Sequence, residues 1–89
     1  MMGVMFPKNA ISDLIREAER FTDPVEGQLV VSEDCVMRSA AGFYVGQFCV
    51  EYMPDGEWFP QPWDRSTQYT DSQEIAETWL DAMKELYGD

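Results

Sequence analysis

The run Met53-Pro54-Asp55-Gly56-Glu57 constrains this chain more than any other stretch. Proline supplies the fixed φ of a first turn position, aspartate tolerates the second, and Gly56 takes the positive φ that closes a three-residue hairpin loop with a bulge. Two strands therefore meet here, one arriving from Gly42 and one leaving at Glu57-Trp58-Phe59. Pairing Met53 with Glu57 sets Tyr52 opposite Trp58 and Glu51 opposite Phe59. Because side chains alternate along a strand, Tyr44, Phe48, Tyr52 and Trp58 then form one aromatic face, while Phe43, Val45, Gln47, Cys49, Glu51 and Met53 share the other. Both faces are largely apolar, whereas an antiparallel strand with one wet side alternates more cleanly. Either helices cover one side and loops the other, or one side is an interface. In that case Phe43, Val45, Met53 and Phe59, or the set around Tyr44, form its centre.

The flanking segments read as helices and short strands. Met1 to Phe6 is an apolar run stopped by Pro7, fit for an edge strand or a docking arm. Asn9 is a good cap residue, and Ile11, Leu14, Ile15, Ala18 and Phe21 recur at helical spacing, which predicts a first helix from Ala10 to Phe21. Its other side carries Asp13, Arg16, Glu17 and Arg20, whose charges balance. Gln28 to Val31 and Cys35 to Ser39 read as two strands joined by Ser32-Glu33-Asp34. A short helix capped at Ser32 is the alternative for the second; the strand is favoured because Ala40-Ala41-Gly42 then turns directly into the central strand. Pro60 and Pro62 predict that the chain leaves the sheet after Phe59 as a surface loop that folds Trp63 back onto the core. Thr67 to Thr70 fits a last short edge strand. Asp71 with Glu74 three residues on has the pattern of a capping box opening the final helix.

These elements make a single small α+β domain over residues 1–89: an antiparallel sheet of three to five strands, an N-terminal helix and a C-terminal amphipathic helix. A chain of 89 residues buries only about two-thirds of its unfolded surface, so its core leaves little room for a deep pocket. A hydrophobic content of 45% argues for folding despite a net charge of −11. No apolar run approaches the ~20 residues of a membrane span, and the first residues lack the basic start of a secretory signal. A cytoplasmic location follows as the default expectation. Cys35 and Cys49 lack metal-motif spacing and read as small packed thiols, although placement on adjacent strands leaves a disulfide open.

Chemistry is narrowed by what the chain lacks. It contains no histidine, so the usual general base near neutral pH, histidine triads and histidine-ligated zinc are excluded. There is no glycine-rich phosphate loop and no calcium-loop pattern. Carboxylate pairs such as Glu51 with Glu57 are to be expected by chance among 17 acidic residues. The six basic residues are scattered, and the net charge repels phosphate, so direct nucleic-acid binding is not expected. No enzyme activity, cofactor or metal is expected.

The last helix departs from this neutral picture. At 100° per residue, Ile75, Ala76, Trp79, Ala82, Met83, Leu86 and Tyr87 fall on one side, and Glu74, Glu77, Asp81 and Glu85 fall in a stripe opposite. Like charges at i,i+4 oppose helix formation by roughly 0.2–0.5 kcal/mol per pair, so Glu77 with Asp81 and Asp81 with Glu85 cost up to about 1 kcal/mol. The stripe is either a solvated face that aids solubility or a row of carboxylates, spaced like backbone phosphates, that meets a basic protein.

The segment from Phe43 through Trp79, a sheet followed by a helix with Ala76 and Trp79, looks like the three-stranded sheet plus helix of the DNA-binding domains of phage integrases. Those domains carry a basic sheet face, where this chain has Glu51, Asp55 and Glu57. RSAAGFYVG followed by WDRSTQYTDSQEIAETW resembles a pattern in small phage and prophage accessory proteins of unassigned function. That resemblance implies a mobile-element protein, a group in which small acidic inhibitors that imitate nucleic acid, including anti-CRISPR proteins, form one class. Two functions are thus expected. One is a non-enzymatic inhibitor that presents Glu74, Glu77, Asp81 and Glu85 to a basic nucleic-acid-binding protein. The other is an interaction domain that pairs through the apolar sheet face, as a homodimer or with another protein.

Overall fold

The computed structural model describes residues 6–87 and has the order α1 (Lys8–Ala18), β1 (Leu29–Val31), β2 (Cys35–Ser39), β3 (Gly42–Tyr52), β4 (Trp58–Arg65), α2 (Gln73–Tyr87). It is α+β, with one antiparallel sheet of four strands between two helices in sequence. The run from Met1 to Met5, read above as an edge strand or arm, lies outside the described residues.

The hairpin forms as the sequence predicts. Glu57 O accepts the Met53 amide (2.9 Å), Met53 O accepts the Gly56 amide (3.0 Å), and Gly56 has φ +87°. Tyr52 pairs with Trp58 and Glu51 with Phe59. Every strand pairs with β3. Leu29↔Glu51 through Val31↔Cys49 and Cys35↔Gly46 through Ser39↔Gly42 place β1 and β2 end to end along one edge, because β4 already occupies the other edge from Tyr52 to Gly46. The residue-number sum across the pairing rises by one between Val31 and Cys35, so β1 and β2 act as one strand carrying an extra residue at a bulged joint. Ser32 closes that joint: its amide donates to Phe48 O (2.7 Å), and its hydroxyl accepts the Phe48 amide (3.0 Å) while donating to Glu33 O (2.8 Å). The Gln47 side-chain amide donates to Ser32 O (2.9 Å).

β4 corrects the expectation of a loop at PQPWDRS. Both prolines stay in the sheet, Pro60 opposite Val50 and Pro62 opposite Phe48. The reason is parity. Met53/Glu57 is a hydrogen-bonded pair, so Glu51/Phe59 and Cys49/Gln61 are too, and the prolines fall at the intervening positions, whose amides point away from β3. Neither proline removes a ladder bond. Trp63 is the unpaired residue where the register shifts between Gln47 and Phe48, and it stands 53% exposed rather than folded onto the core.

The core lies on the even-numbered face of β3. Leu14 and Ala18 of α1 pack with Met37, Tyr44, Phe48, Val50 and Trp58, and Phe6 meets the Phe48 ring at 5.1 Å. The aromatic row of Tyr44, Phe48, Tyr52 and Trp58 is therefore spent largely inside the domain. α1 begins before the expected Ala10: Pro7 occupies the cap position without a side-chain cap, and its carbonyl accepts the Ile11 amide. Proline pre-sets the entry φ there, so Asn9 sits in the first turn instead of capping it. The helix ends at Ala18 in tight i→i+3 bonds, which turns Phe21 out of the helix to rest 6.4 Å from the Trp58 ring.

The expected strand at Thr67 to Thr70 reduces to a bridge between Phe43 and Thr70 (2.7 and 2.8 Å). The neighbouring outward groups of Val45 are taken by Ser66 and Thr67: Val45 O accepts both amides, and Thr67 Oγ1 accepts the Val45 amide. Cys35 and Cys49 are free thiols on opposite faces of the sheet, since one pairs with Gly46 and the other lies at an odd position of β3.

Candidate functional site

The start of α2 is set by the Phe43–Thr70 bridge. Thr70 Oγ1 accepts the Ser72 amide (3.2 Å), and Ser72, not Asp71, caps the helix: its hydroxyl accepts the Ile75 amide (3.3 Å) and its carbonyl the Ala76 amide (3.2 Å). With the chain pinned at Thr70, the helix starts one residue later than a cap at Asp71 requires. Ala76 is fully buried and α2 lies against β3 and β2, which fixes its rotation. Glu74, Glu77, Asp81 and Glu85 are consequently all exposed. Glu77 accepts a hydrogen bond from the Gln73 side chain (3.1 Å), and the Thr78 hydroxyl donates to the Glu74 backbone carbonyl (3.0 Å).

Charge in the rest of the surface does little to neutralise the acids. Among the described residues the one ion pair is Arg16–Asp13 at 3.3 Å, itself exposed. Arg38 lies over the Phe43 ring (5.4 Å) and Arg65 over the Tyr69 ring (4.6 Å), with Arg65 also donating to Thr67 O. Both arginines are thus committed to aromatic or backbone partners and not to carboxylates.

The sheet-face candidates separate. Val45 is fully buried and presents nothing to a partner; Phe43, beneath Arg38, and Met53 are half-buried; Phe59 is 57% exposed. The register shows what sequence reading missed: Leu29–Glu51–Phe59 and Val31–Cys49–Gln61 run as rows across the same face, with Leu29 41% and Val31 38% exposed. Glu51 is hydrogen-bonded by the Gln61 side-chain amide between these apolar groups. Counting alternation in Gln28 to Val31 against the hairpin register is the signal that finds Leu29 and Val31.

A third feature was not foreseen. α1, the bulged joint and α2 enclose a cleft of about 530 Å³ whose rim carries Asp13, Glu17, Glu33, Asp34 and Lys84, with Leu80 at its side. Asp34 accepts the Ser66 hydroxyl (2.8 Å). Cys35 also faces this cleft. Burial, and secondarily the carboxylates of Asp34 and Glu33, push its thiol up to about 11 although the nearby Ser32 hydroxyl acts in the opposite direction, so it stays protonated near neutral pH and is a poor nucleophile. Among the described residues no three His, Cys, Asp or Glu side chains converge as metal ligands. No helix there is long and apolar enough to cross a membrane. Comparison with family models, with curated proteins and with solved structures finds no match to this chain.

Proposed function

We propose that this chain is a non-enzymatic binding protein whose α2 carboxylates occupy the basic surface of a nucleic-acid-handling protein, in the manner of the acidic inhibitors that form one class among the small phage and prophage accessory proteins. One observation carries the reading: Glu74, Glu77, Asp81 and Glu85 are all exposed along one helix, and none forms an ion pair with another described residue. A helix that keeps like charges at i,i+4 forgoes stability that alternating charge supplies at no cost. Summed over a chain of net charge −11, the field attracts cationic surfaces and speeds encounter with them. Affinity capture with nuclease treatment and a salt series tests it, using the intact chain beside the Glu77→Gln, Asp81→Gln, Glu85→Gln variant. A nuclease-resistant partner that elutes as salt rises and is lost with the variant is expected; unchanged capture by the variant counts against the proposal.

A second reading rests on the exposed row of Leu29, Val31 and Phe59, and makes the sheet face an interaction surface for a second copy or another protein. Its binding is insensitive to salt and lost in Leu29→Ser, Phe59→Ser. Light scattering across micromolar concentrations reports whether the occupant is a second copy.

A further inference from the structure

The two edges of the sheet are chemically different. Along the outer side of β4 up to its bulge, the outward positions are Trp58, Pro60 and Pro62, so two of the three amide donors there are missing; beyond the bulge the Arg65 amide is taken by the Asp64 carboxylate. On the opposite edge, the bonds from Tyr52 to Gln28 and from Ser32 to Phe48 place Phe48, Val50 and Tyr52 in hydrogen-bonding positions towards β1. Leu29 and Val31 therefore alternate outward, and each directs an amide and a carbonyl away from β3. Beyond the ladder no described residue takes these four groups, and both side chains are exposed.

We propose that the outer edge of β1 docks an extended segment of a partner protein, apolar at its centre and flanked by lysine or arginine. The backbone groups of Leu29 and Val31 pair with the segment's main chain, and its alternate side chains join Leu29 and Val31 on the face that also holds Phe59. Charge selects the flanks. Glu26 precedes the strand, Glu33 and Asp34 follow it, and the edge opens at Val31 into the cleft rimmed by Asp13 and Glu17. The same charges argue against a second copy, because symmetric antiparallel pairing centred on Val30 brings Glu26 towards the other copy's Asp34, and like charges facing across strands are destabilising. The inference shares with the proposed function only the basic character of the partner; it places the contact on a different surface.

The test uses the full chain and a capped synthetic peptide with Val-Thr-Val between paired lysines, titrated by amide NMR. Expected are shifts and slowed hydrogen exchange centred on the Leu29 and Val31 amides, and affinity that falls with salt. Val31→Pro, which deletes an outward donor without touching the ladder, should weaken binding roughly tenfold or more. Equal binding to Val31→Pro, or equal binding by the same peptide N-methylated at its valines, overturns the proposal; the methylated peptide is read on the unaltered chain, so the result stands even where the variant folds poorly. A peptide with glutamates in place of lysines that binds as well overturns the basic flanks. Wild-type dimers abolished by Val31→Pro overturn it in favour of a second copy. Peptide binding unaffected by the α2 glutamine variant, with natural-partner capture also unaffected, sinks the α2 reading and leaves this one standing.

Discussion

Ser32→Ala is the substitution with the most readable consequence. Ser32 is nine-tenths buried, and among the described residues its hydroxyl is the acceptor of the Phe48 amide, at 3.0 Å, in the middle of the central strand. Alanine keeps the backbone bond from Ser32 to Phe48 O but leaves the Phe48 amide without a partner. A buried donor stripped of its acceptor costs about 1–3 kcal/mol, and the lost Ser32–Glu33 bond adds little because Glu33 is exposed. The centre of that range, about 2 kcal/mol, corresponds to a fall in Tm of roughly 8–16 °C for a domain of this size. Urea denaturation gives the free energy, and hydrogen exchange at the Phe48 amide gives its location. Threonine at the same position keeps the hydroxyl and should recover most of the loss. A change below about 0.5 kcal/mol with Phe48 still protected would refute the account, since it means the amide found another acceptor and the joint does not depend on this side chain.

Further outcomes follow from the same geometry. Gly46→Ala should destabilise by about 1–3 kcal/mol in denaturant titration, because an added Cβ meets the Asp64 carbonyl oxygen and lies 2.8 Å from Tyr44 Cε2, and the first of these is backbone that cannot rotate away. The Glu77→Gln, Asp81→Gln, Glu85→Gln variant should unfold at higher denaturant, by up to about 1 kcal/mol, while it loses its basic partner; a loss of stability contradicts the repulsion argument. Cys35 is held protonated in the fold above its ordinary value of 9.0, up to about 11, so the unfolded chain releases that proton first. Stability is then undiminished below about pH 9 and declines as pH rises towards 11, and Cys35→Ser should flatten that decline in denaturation measured across the window.

The parts of the fold fixed by local chemistry were legible in the sequence. Pro54-Asp55-Gly56 dictates a turn, the turn dictates a register, and the register assigns Tyr52 to Trp58 without any knowledge of the rest. Strand parity then carried the aromatic face correctly. The failures lie where a bond reaches across the chain. Pro60 and Pro62 read as breakers because the rule that proline leaves a sheet takes no account of which way the absent amide would point; only the pairing with β3 settles that. The cap lies at Ser72 and not Asp71 because Thr70 is anchored to Phe43, far earlier in the chain. Ser32 looked like an ordinary turn residue, and its role depends on Phe48, 16 positions away. At the candidate surfaces, the α2 stripe was visible from helical period alone and is exposed as expected. Val45 was not separable from Phe59 by alternation, since both lie on the same face and only packing distinguishes a fully buried position from a half-open one.

The prolines of β4 also set a valence. A sheet with two receptive edges can add neighbours without end, as fibrils do. Here one side leaves main-chain donors and acceptors without partners among the described residues and the other offers little but carbonyls, so edge-to-edge growth through the proposed docking edge would terminate after a single addition. Whatever strand this domain takes up, the product is a closed, countable complex and not the seed of a filament. Restoring donors with Pro60→Thr and Pro62→Thr should convert a finite species into one whose size grows with concentration in sedimentation experiments.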